Sequence, residues 1–78
     1  MRNIGDIVQA TKEMTFYVPA FHVVKVGDKG EVINIHPDVH TSRADQTGVY
    51  LAPNLVRFTG APGAQWVSDE ETAHVSSR

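Results

Sequence analysis

Apolar and β-branched residues occur in short runs punctuated by Gly, Pro, Asn and Asp, and no long stretch repeats at helical spacing. Such a rhythm predicts strands joined by tight turns. Ile4 to Thr11 opens with a Gly5-Asp6 turn and enters a β-prone run, the first strand. Met14 to Val18 is again β-branched and aromatic, but Pro19 fixes its own φ and biases Val18 to extended backbone. The expectation there is an ordered loop with a short edge strand.

Gly27-Asp28-Lys29-Gly30 reads as a turn feeding a strand in which Ile33 and Ile35 share a face, and Pro37 stops it. From Asp38 to Gly48 the composition is polar, which predicts a mobile hairpin tip. Val49 to Phe58 resumes the strand pattern, with Pro53 marking a bulge, an edge or a break. After the turn at Gly60-Ala61-Pro62-Gly63, Gln65 to Val67 forms a short strand. Ser68 and Glu71 then have capping-box spacing, enough for one 3₁₀ turn, before a last strand from Thr72 to Val75. Short strands in this order predict an all-β domain, a small five-stranded SH3-like barrel over residues 1–75, with a frayed end at 76–78.

Seventy-eight residues bury a modest fraction of their surface, so a domain of this size commonly relies on disulfides, a metal or a partner. The chain has no cysteine, which removes disulfides, thiolate nucleophiles and thiolate-held iron–sulfur clusters from its own chemistry. Seven basic residues are scattered against nine acidic ones, for a formal charge of −2. Without a basic stripe, nucleic acid is not an expected partner. The apolar run at Ala20 to Val26 is interrupted by His22 and Lys25 and is far short of a membrane span. With no secretory pattern either, the expected location is cytoplasmic, or the plastid stroma for a photosynthetic eukaryote.

Chemistry-bearing residues are few. His36, Asp38 and His40 bring three metal-ligand types within five residues, but a zinc site needs three or four convergent ligands. A solvated turn is the simpler reading, and no metal is expected. Asp69, Glu70 and Glu71 follow a Ser cap and read as a solvated cap. Ser42, Ser68, Ser76 and Ser77 lack a nucleophile-elbow pattern, and Gly27 to Gly30 is too short for a phosphate loop. No catalytic residue is therefore assigned. Six aromatic rings are more than so small a barrel can bury. Phe58 and Tyr50 are assigned to the core or its border, whereas Phe16, Tyr17, Phe21 and Trp66 are assigned to an exposed partner-binding patch.

Four segments, Ile4 to Val8 with Phe16-Tyr17, Lys29 to Ile35, Ala52 to Phe58 and Trp66 to Val75, together resemble the variable (α) chain of ferredoxin–thioredoxin reductase. The same turn-and-strand grammar is similar to that of photosystem I subunit IV and other small barrel subunits. The resemblance implies a non-catalytic barrel packed on a separate cysteine-bearing chain, which holds the 4Fe–4S cluster and the redox-active disulfide. This chain would bind no cofactor itself and would work in a hetero-oligomer. A free-standing adaptor barrel that binds a peptide or another complex is the alternative, followed by a small His-based metal-binding protein.

Overall fold

The computed structural model describes residues 2–43 and 47–77. They form nine strands: β1 (Ile7–Ala10), β2 (Met14–Phe16), β3 (His22–Val24), β4 (Lys29–Ile35), β5 (His40–Thr41), β6 (Tyr50–Leu51), β7 (Asn54–Phe58), β8 (Gln65–Val67) and β9 (Thr72–Ser76). One 3₁₀ turn, Asp69–Glu71, precedes β9, and the described residues contain no α-helix. The all-β expectation and the single turn before the last strand both hold.

Five strands make the main antiparallel sheet in the order β8-β7-β4-β1-β9, while β2-β3 and β5-β6 are separate two-stranded ribbons. Among the described residues β8 and β9 do not pair, so the sheet is open where the sequence predicted a closed five-stranded barrel. Two segments read as loops, 22–24 and 40–41, are strands instead. His22 to Val24 pairs with Met14 to Phe16, and His40-Thr41 pairs with Tyr50-Leu51. The expected hairpin tip at Asp38 to Gly48 thus contains a strand, and its residues 44–46 lie outside the described residues. Pro53 marks a break, between β6 and β7. At the far end β9 runs through Ser76, one residue into the segment expected to fray.

The core follows from strand alternation. Val8 and Ala10 of β1, Val32 of β4, Val56 and Phe58 of β7 and Val67 of β8 turn to one side of the sheet. Met14 and Phe16 of β2 and Val24 of β3 complete the cluster, so the ribbon is the lid on that side. A register shift between Val32 and Asn34 leaves Ile33 and Ile35 only partly buried. Gly30 is required by close approach, since a Cβ there would sit 2.7 Å from Val56 Cγ1 and 2.8 Å from the Arg57 carbonyl oxygen.

Candidate docking site

β2 decides which aromatic rings are available to a partner. Its alternation turns Met14 and Phe16 inward and leaves Tyr17, the next residue, outward. Phe16 is 4% exposed, whereas Tyr17 is 60% and Phe21 65% exposed. Phe16 therefore belongs to the core and not to the exposed patch expected from the sequence; consecutive residues of a strand cannot share a face. Trp66 is half-buried on β8, as is Tyr50 on β6, while Phe58 is a core residue as expected. The Tyr17 and Phe21 rings lie 5.4 Å apart, tilted by 55°.

Between these segments runs an open groove of about 260 Å³, lined chiefly by Phe16, Tyr17, Val18, Arg43, Gln65 and Trp66. Three of the four aromatics named from the sequence line it, and Phe21 joins through Tyr17. The loop carrying Tyr17 and Phe21 is tied down from β8 and the turn before it. Gln65 Nε2 donates to the Val18 carbonyl at 2.5 Å, and Pro19 sits so close to Gly63 that a Cβ at 63 would meet its ring at 3.1 Å. Both contacts restrain the aromatic loop.

Sequence reasoning missed Arg43. Its guanidinium lies over the Phe16 ring (5.1 Å to the centroid) and the Tyr50 ring (5.4 Å), and forms an ion pair with the Glu71 carboxylate. Glu71 is correspondingly buried, not part of a solvated cap. Its Oε1 also accepts the Ser68 N–H at 2.8 Å, in the capping box that the spacing of Ser68 and Glu71 predicted. Nothing local announces Arg43, because its partner is 28 positions away. Once Glu71 is buried beside a core strand its carboxylate demands a cation, and Arg43 supplies it.

The remaining candidates are local. His36, Asp38 and His40 are exposed; the His36 Nδ1 accepts the Asp38 N–H at 3.4 Å, and the His40 Nδ1 donates to the Asp38 carbonyl at 3.0 Å. Among the described residues no three His, Asp or Glu side chains converge as a metal site. Asp69 is an acceptor for Asn54 Nδ2 at 2.8 Å, a brace between β7 and the 3₁₀ turn. Asp6, His74 and Ser77 come together, but His74 Nε2 faces both Asp6 Oδ1 (3.8 Å) and Ser77 Oγ (3.1 Å). A nucleophile relay needs one ring nitrogen for each partner, so this is not that geometry. No described helix is long and apolar enough to cross a membrane. No family model, curated protein or solved structure matches the chain.

Proposed function

We propose that this chain is a non-catalytic accessory protein that docks on a protein partner through the aromatic groove. The observation that carries the reading is the placement of two largely exposed rings, Tyr17 and Phe21, on a restrained loop beside Trp66. Burying such rings is worth roughly 25 cal/mol per Å² removed from water, and large aromatics are the usual anchors of protein interfaces. In this reading the main sheet and its ribbons are an opened variant of an SH3-like barrel, and the partner is a cysteine-bearing redox chain, as for the variable chain of ferredoxin–thioredoxin reductase. The 4Fe–4S cluster then resides in the partner, and this chain covers and steadies it.

Affinity purification of the native protein from its source tests this. The expected result is a stoichiometric partner with Cys-x-x-Cys spacings and the visible absorbance of an iron–sulfur cluster. A stoichiometric partner without cysteines would overturn the redox assignment and favour the adaptor reading. The groove, whose one lining cation is paired with Glu71, favours that reading as the second choice, because it suits a peptide segment.

A further inference from the structure

The direction of the main-chain groups on the outer strand β8 follows from the pairing of the strands inside it. Val32 N–H donates to the Asp6 carbonyl and Val32 C=O accepts from Gly5 N–H, so both of its groups point toward the β1 side. Its β7 neighbour Val56 must then direct its own groups toward β8, where it faces Gln65. His36 N–H donating to the Pro53 carbonyl fixes the same alternation along β7. One residue on, Trp66 faces Leu55 in a non-hydrogen-bonded pair. Its N–H and C=O therefore point out of the sheet edge.

The groove lies along that edge. Of the main sheet it touches only Gln65 and Trp66, consecutive residues of the outermost strand. Its single cation among the lining residues, Arg43, is compensated by Glu71. Thr15, Thr41 and Ser42 add hydroxyls. Among the described residues no main-chain group pairs with Trp66.

We infer that the groove takes an extended, uncharged segment of the protein partner, which adds as a strand to the β8 edge by exchanging N–H···O bonds with Trp66. Main-chain pairing supplies register, and the Tyr17 and Trp66 rings select apolar side chains on the segment. A compensated groove favours a neutral segment, because a charge entering it would lose hydration with no counter-charge to meet. This inference rests on the docking face proposed above and adds the conformation and polarity of what docks there.

The test is amide NMR on the ¹⁵N-labelled full chain, titrated with two blocked pentapeptides, acetyl-Thr-Val-Thr-Val-Thr-amide and acetyl-Pro-Pro-Val-Pro-Pro-amide. The first can form a strand; the second has few N–H donors. The expected result is saturable movement of the Trp66 amide by the first peptide alone, together with at least tenfold slower hydrogen exchange there. If only the Tyr17 and Phe21 signals move, or the proline peptide binds equally well, strand addition is wrong while the docking face stands. If neither peptide moves any groove signal at about 5 mM, which corresponds to binding weaker than about −3 kcal/mol, the strand inference fails. Loss of partner binding in Tyr17→Ala and Phe21→Ala chains then still tells whether the face itself is used.

Discussion

The two edges of the main sheet differ at one outward-facing residue each, Thr72 on β9 and Trp66 on β8. At β9 the outward groups of Thr72 are closed from within: its N–H donates to the Asp69 carbonyl, and its C=O accepts from Arg2 Nη2 at 2.5 Å. Arg2 Nε reaches the Thr72 hydroxyl as well, at 3.2 Å. A cation laid over an edge is one of the devices by which sheets avoid adventitious pairing. At β8 no main-chain group among the described residues pairs with Trp66, and the space beside it is lined by aromatic rings. An exposed edge is a liability in a monomer, so an edge left open beside apolar side chains is an edge that a partner can use.

The largest expected effect comes from removing the wall of the open side. Arg43→Ala strands the buried Glu71 carboxylate and withdraws a cation from two rings, and should lower stability by about 4 kcal/mol in urea unfolding. Arg43→Met with Glu71→Gln should recover more than half of that loss, because apolar replacement of a buried pair is often near neutral. Next is Gly30→Ala, which pushes a methyl into Val56 and the Arg57 carbonyl and should cost about 2 kcal/mol by the same measurement.

Arg2→Met opens the other edge. A loss of about 1 kcal/mol is expected, with faster hydrogen exchange in β9 and concentration-dependent self-association in analytical ultracentrifugation. Unchanged exchange at Thr72 would mean that the two edges do not differ in the way described. The smallest effect on stability belongs to Tyr17→Ser and Phe21→Ser, within about 0.5 kcal/mol of wild type, since both rings are mostly in water.

Strand identity was legible where local grammar decides it. The turn glycines, the capping spacing at Ser68 and Glu71, and the break at Pro53 all identify elements found in the structure. β3 and β5 were not legible, because such short strands exist only through their pairing partners. The docking face was half legible. Surplus aromatics pointed to Tyr17, Phe21 and Trp66, but only the pairing phase of β2 separates Phe16 from Tyr17. Arg43 and the outward pair at Trp66 depend on contacts between distant segments, which no short motif records.

The central claim is that a partner is held through the groove beside β8. Its most direct test is the affinity of the co-purified partner for wild-type chain and for the Tyr17→Ala, Phe21→Ala and Trp66→Ala chains, each first shown to be folded by its amide spectrum. Substituting an anchor ring should cost about 2 kcal/mol of binding, roughly a thirtyfold weaker Kd. Wild-type affinity in all three chains would contradict the account.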